Sequence, residues 1–293
     1  MATGRLRFEP AEILQASGCI AKLRARSGPA RRTEPVSLGV PFRRGERRGL
    51  EALCVVGALG RVIPCQWEIL SRWPDGSVRW GLLDFLASTE EGRGAELHIA
   101  EDSTAHVEPQ RLEVTETARG HRIDTGAWVF SLPREVFGLE AEVRLAEKAR
   151  RVGFCCELSL AEGGIATPIV RAIAIEARGP VRATVHAEGQ FLPAASGKPL
   201  EFESRVSFFA GTGLVKIEWT LRNPWPAKHA RGLWDLGDDG SLLFEQLRLT
   251  AHVDGPAARE IAWTAEAQGP RRACAPGRLG IYQASSGGEN WRS

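Results

Sequence analysis

The chain has 293 residues, 43% hydrophobic and 25% charged, a length and balance that suit two medium-sized domains of ordinary globular composition. Its 38 basic and 36 acidic residues leave a formal charge of +2, a near-balanced sum that gives no reason to expect a nucleic-acid partner, which needs a concentrated basic field. The opening "MATGRLRFEPAEILQASGC" holds no apolar core of signal-peptide length, and no run approaches the roughly twenty apolar residues of a membrane span, so no membrane partner is expected. A cytoplasmic protein, or a gene whose leader is missing, is the simplest expectation.

Short strands come first. The basic stretch 31–49, "RRTEPVSLGVPFRRGERRG", reads as a solvated rim or as a surface for an anionic partner. "LEALCVVGA", "VIPCQWEILSRW", "VRWGLLDFLAS" and "AELHIAE" are β-branched or aromatic and are split by Gly, Pro and Asp. "WPDGSVRW" (73–80) predicts a hairpin, with Asp75-Gly76 as the pair suited to a tight turn of positive φ. Trp73 and Trp80 would then lie near each other, either as cross-strand packing or as a platform for a sugar ring.

"EDSTAHVEPQ" (101–110) is polar and contains proline, and it predicts a domain boundary near 105–112. Beyond it run "GAWVFSLP", "PVRATVHAEGQF", "EFESRVSFFAGTGLVKIEWTLRN" and "SLLFEQLRLTAHVDG". In "VKIEWTLRN" (215–223) Val, Ile, Trp and Leu alternate with Lys, Glu, Thr and Arg, so one face is buried and the other wet. Long strands joined by hairpins predict an antiparallel sandwich. "GLEAEVRLAEKARR" (138–151) is the one helical candidate, with strand plus turn as its alternative.

Cys19, Cys54, Cys65, Cys155, Cys156 and Cys274 form no CxxC and no zinc spacing, and all six are expected to be reduced apolar residues. Cys155 and Cys156 are neighbours on a strand and so point to opposite faces. His98, His106, His121, His186 and His252 stand singly and are assigned no role.

The chemistry-bearing side chains concentrate in "NPWPAKHARGLWDLGDDGS" (223–241). No helix or strand period runs through it. Lys228, His229 and Arg231 are types that neutralise carboxylates and move protons. Trp225 and Trp234 present flat faces for sugar rings, or else plug the end of a sandwich. Asp235, Asp238 and Asp239 suit sugar hydroxyls, cation orientation or plain turn chemistry. The aspartates lack the twelve-residue calcium-loop pattern, so no metal and no cofactor is expected. Tyr282, the single tyrosine, is a further proton-transfer candidate.

Two stretches, "VSLGVPFRRGE…VIPCQWEILSRWPDGSVRWGLLDFLA" (36–87) and "SFFAGTGLVKIEWTLRNPWPAKHARGLWDLGDDGSLLF" (207–244), resemble the exo-rhamnogalacturonan lyase-like family, grouped with polysaccharide lyase family 26. The resemblance implies an all-β chain: an N-terminal RIFT-type barrel (1–108), a central antiparallel β-sandwich (109–270), and at 271–293 the start of a link to a helical toroid. It implies β-elimination at a uronic acid and an acidic oligosaccharide or polysaccharide as ligand. Lys228, His229, Arg231 and Tyr282 are then the catalytic candidates, and Trp225, Trp234, Asp235 and Asp238 the substrate-binding ones. Family members continue into the toroid, which holds much of the catalytic cleft. The chain is therefore expected to show little or no catalysis without that domain, supplied in the chain or separately. A non-catalytic carbohydrate-binding or scaffold module is the alternative.

Overall fold

The computed structural model describes residues 19–25, 30–57, 60–90, 95–101, 111–145, 148–160, 164–192, 197–226, 240–242, 244–253, 261–263, 270 and 272–274. Among them the architecture is all-β. Residues Leu6–Asp254 cluster as one compact unit, and Gly255–Ser293 with Met1–Arg5 as a second. No helix among the described residues is long and apolar enough to cross a membrane.

The N-terminal barrel contains β1 (Cys19–Ala25), β2 (Arg31–Pro41), β3 (Leu53–Val56), β4 (Val62–Ile63), β5 (Cys65–Arg72), β6 (Val78–Thr89) and β7 (Ala95–Glu101). They pair antiparallel in two sheets, ordered β1-β7-β3-β4 and β2-β6-β5. Alternation decides what turns inward. Val55, Ile99, Leu83 and Phe85 are wholly buried between the sheets, and Leu23, Val40, Phe42, Leu50 and Leu97 complete the core.

The turn between β5 and β6 is a hairpin, as the sequence predicts, but of a different kind. Gly76 N–H donates to the Trp73 carbonyl at 2.9 Å, and Trp73 N–H to the Ser77 carbonyl at 2.8 Å. Only Gly76 takes a positive φ, of 82°, so Pro74-Asp75-Gly76 is a three-residue loop in which a type I turn is followed by a left-handed glycine. Proline pre-sets the first turn position, and the Asp75 carboxylate accepts from Ser77 N–H at 3.0 Å. Trp73 and Trp80 do not face each other. Trp80 lies opposite Ser71 and Pro41, while the Trp73 indole N–H donates to the Phe42 carbonyl at 3.1 Å.

The sandwich comprises β8 (Glu113–Thr117), β9 (Gly120–Asp124), β10 (Val129–Pro133), β11 (Gly138–Leu145), β12 (Lys148–Leu160), β13 (Ile165–Ala166), β14 (Pro168–Arg178), β15 (Arg182–Phe191), β16 (Leu200–Phe209), β17 (Val215–Arg222) and β18 (Phe244–Val253). One sheet runs β13-β12-β11-β10-β9-β8 with β18 beside β12, and the other runs β14-β15-β16-β17. Their inner faces share one core, with Ile123, Phe130 and Leu158 from the first sheet and Val185, Phe202, Val206 and Phe208 from the second. Trp219 stacks on Phe202 at 4.6 Å between centroids and meets the edge of Phe137 at 4.5 Å. On β17 the expected alternation holds: Val215, Ile217, Trp219 and Leu221 pack on this core, and the residues between them are exposed.

The helical candidate at 138–151 is strand. It forms β11 and the start of β12, which pair from Gly138↔Cys155 to Leu145↔Lys148. Glu, Ala and Arg favour a helix locally, but the period-2 placement of Leu139 and Ala141 buries both in the sandwich core, and that packing overrides propensity. Cys156 is buried and Cys155 half-buried on the next position, as expected of strand neighbours, and Cys54, Cys65, Cys155 and Cys156 are all free thiols. The expected boundary at 105–112 falls mostly outside the described residues, as does most of the segment 271–293. The described part of the second unit is the two-stranded pair β19 (Ile261–Trp263) and β20 (Arg272–Cys274).

Candidate functional site

The root of the 223–241 loop is held by one asparagine. Asn223 Nδ2 donates to the Gly240 carbonyl at 2.7 Å, and Asn223 Oδ1 accepts from Trp225 N–H at 3.1 Å. The first bond brings the two ends of the loop together, and the second is the short side-chain-to-backbone link for which asparagine is favoured in turns. Trp225 is 37% exposed. Its indole N–H donates to the Pro199 carbonyl at 3.1 Å, and the Lys198 ammonium stands 6.0 Å from its ring centroid. Next to it Arg222 Nε donates to Glu201 at 2.8 Å. Trp225 is thus an open aromatic ring beside a cation at the β16–β17 end of the sandwich. Lys228, His229, Arg231, Trp234, Asp235, Asp238, Asp239 and Tyr282 lie outside the described residues.

A second feature is a cleft of about 640 Å³ between barrel and sandwich, bordered by Leu50 and Glu51, by Cys65–Ile69 of β5, and by the β14–β15 turn at 176–180. Gln66 and Glu68 connect this lining to a polar joint. Gln66 Oε1 accepts from Arg182 N–H at 2.9 Å and from Val181 N–H at 3.3 Å. Arg182 Nε donates to Asp84 Oδ2 at 2.9 Å, its Nη1 to Thr184 at 2.7 Å, and its Nη2 lies 3.5 Å from Glu68. Ser37 Oγ donates to the other Asp84 oxygen. Asp84 is 1% exposed, so this carboxylate from the barrel and this guanidinium from the sandwich are paired away from water. Gly179 permits the approach, because a Cβ there would stand 2.2 Å from the Gln66 side chain.

None of Gln66, Asp84 or Arg182 stood out in the sequence. The available signal was Asp84, a lone acid in the apolar run "GLLDFLA", but its partner lies 98 positions away on another domain.

Burial pushes the Cys65 thiol up, and pushes Cys156 in the sandwich core up to about 12, so neither is a ready thiolate. Glu68 is engaged by Arg182, and Glu176 accepts from Arg205 Nε at 2.8 Å. On the outer face of the same sheet, hydrogen bonds from Arg205 and then His186 hold the Glu203 carboxyl below its ordinary range. Arg178, exposed at the cleft rim, forms no ion pair among the described residues and is its available cation. No group of three or more His, Cys, Asp or Glu among the described residues is arranged to hold a metal ion.

Residues 21–100 match the family described as the PcRGLX-like N-terminal RIFT barrel domain. "Uncharacterized protein YetA" of Bacillus subtilis (strain 168) is 26% identical over 213 residues, which cover 68% of this chain and 24% of that protein. The chain thus spans about a quarter of the length of this curated relative. A crystal structure of a glycosyl hydrolase family 38 protein from Enterococcus faecalis aligns with 87% of this chain and 35% of its own, at 11% identity and a TM-score of 0.45, a likeness too loose to say more.

Proposed function

We propose that this chain, which carries a PcRGLX-like N-terminal RIFT barrel domain at residues 21–100, is a two-domain β portion of a rhamnogalacturonan-lyase-like, carbohydrate-active protein that engages acidic sugar and has little or no catalysis by itself. The barrel match carries the reading. The open ring of Trp225 beside Lys198 supports it, because a flat aromatic face next to a cation suits a sugar ring bearing a carboxylate.

In a uronate lyase a cation offsets the carboxylate, a base removes the C5 proton, and an acid protonates the departing 4-linked oxygen. In this proposal Lys228, His229 and Arg231 supply the cation and the proton transfers, with Tyr282 as a further proton donor. Trp225 and Trp234 hold the sugar rings, and Asp235 and Asp238 accept hydroxyls. The proposed counterpart of the loop is a helical toroid domain that closes the site.

The test is incubation of the purified chain with rhamnogalacturonan fragments. A C4–C5 double bond conjugated with the carboxylate absorbs in the ultraviolet, so turnover is read directly. We expect binding with no sustained rise in absorbance. A rise that survives repurification and is lost in Lys228→Ala or His229→Ala would show these domains to be a sufficient enzyme. An absence of any binding would remove the carbohydrate reading itself.

A further inference from the structure

The tip of the β5–β6 ribbon carries a charge cluster that the proposed site does not use. The segment 43–48 folds onto the hairpin tip. Val78 N–H donates to the Arg47 carbonyl at 2.8 Å, Phe42 N–H to the Arg79 carbonyl at 3.0 Å, and Gly45 N–H to Ser77 Oγ at 2.9 Å. Buried Phe42 and Val78 anchor the two pieces. Six arginines meet there. Arg44 is 3.3 Å from Asp75, and Arg47 is 3.8 Å from both Glu46 and Glu101. Arg43, Arg48, Arg72 and Arg79 are exposed and form no ion pair among the described residues. Arg72 Nη1 donates to the Arg48 and Gly76 carbonyls, both at 2.9 Å, which ties the loop to the turn.

Like charges on a surface repel; Arg72 holds the turn and Arg79 covers the Trp73 ring, but none of these four guanidiniums is offset by a carboxylate among the described residues. We propose that this tip is an auxiliary binding surface for a carboxylate-bearing polysaccharide; the choice of polymer rests on the function proposed above. Guanidinium is a planar fork that matches carboxylate geometry, and four of them suit charges repeated along a chain. Nucleic acid fits less well. The net charge of +2 supplies no broad basic field. The ribbon also gives the surface a purpose. Asp84, which joins the sandwich through Arg182, lies six residues along β6 from Val78, about 20 Å at the strand rise. A polymer held at the tip is therefore tethered to the element on which the interdomain cleft is built.

The experiment measures binding of polygalacturonate to the full chain by affinity electrophoresis, beside the triple variant Arg43→Gln/Arg48→Gln/Arg79→Gln. Arg72 is kept because it holds the turn. An exposed ion pair changes an equilibrium by about two- to fivefold, so loss of three weakens binding by about tenfold or more. Raised salt should weaken the wild-type interaction likewise, and methyl-esterified polymer should not bind. These two arms use the unaltered protein and stand even where the variant folds poorly. Unchanged binding by a folded triple variant, equal binding of the esterified polymer, or tighter binding of single-stranded DNA than of polygalacturonate would each overturn the proposal. If the tip holds polygalacturonate while rhamnogalacturonan fragments show no contact with the Trp225 loop, the loop reading fails and the tip proposal stands.

Discussion

His121 is buried on β9 opposite the core residue Leu132, and both of its ring nitrogens lack a hydrogen-bond partner. Burial holds its pKa below the ordinary imidazole range, with smaller opposing effects from Glu116, which raises it, and Arg134, which lowers it. The folded protein thus keeps the ring neutral where the unfolded chain, titrating near pH 6.5, takes up a proton. The unfolded state binds more protons as pH falls through that value, so the contribution of His121 is complete above about pH 7 and is lost on acidification, by at most about 1.4 kcal/mol per pH unit. Urea midpoints from pH 7 to 5 should fall more steeply for the wild type than for His121→Leu, and parallel curves would refute this. Trp225 marks the opposite case. It is 37% exposed and holds one hydrogen bond to Pro199, so Trp225→Ala should cost about 1–2 kcal/mol in urea unfolding, below the roughly 3–5 kcal/mol of a core tryptophan. A larger loss would make it a structural plug.

At the scale of elements the β14–β15 turn and the β5–β6 ribbon form the joint on which the cleft depends. Asp84 is 1% exposed and the Arg182 side chain 12%, so removal of one partner strands a charge out of water. Asp84→Asn should therefore destabilise the protein by about 3–5 kcal/mol in urea unfolding, whereas Arg44→Gln, at an exposed pair, should cost under about 1 kcal/mol. Equal effects would mean that the joint is not a desolvated pair. The β5–β6 hairpin was legible because Pro, Asp and Gly each carry a local backbone preference. The strand at β11 stayed open against a helix, because its residues favour a helix locally and only the burial of Leu139 and Ala141 against the opposite sheet decides it.

For the whole molecule, two separate hydrophobic cores and a polar joint between them predict two coupled unfolding events. Cleavage within 105–112, the composition-based boundary, should leave both cores folded and associated through Gln66, Arg182 and Asp84. In Asp84→Asn the fragments should separate on gel filtration. Loss of β circular dichroism on cleavage would show that the cores do not fold independently.

The sequence alone determined the all-β class, most of the strands, the hairpin at 73–80 and the resemblance borne by residues 36–87. These rest on period-2 burial, on turn residues with fixed backbone preferences, and on contiguous motifs, all properties of neighbours along the chain. It also marked Trp225 and its loop, because unusual composition is visible without coordinates. Only the tertiary structure decided which charges are buried and which remain free. Asp84 meets Arg182 across 98 positions, and the loop 43–48 brings its arginines to a hairpin that begins 25 residues later, at Trp73. Desolvation and charge clustering depend on distance in space, and a linear pattern of residue types does not contain that distance.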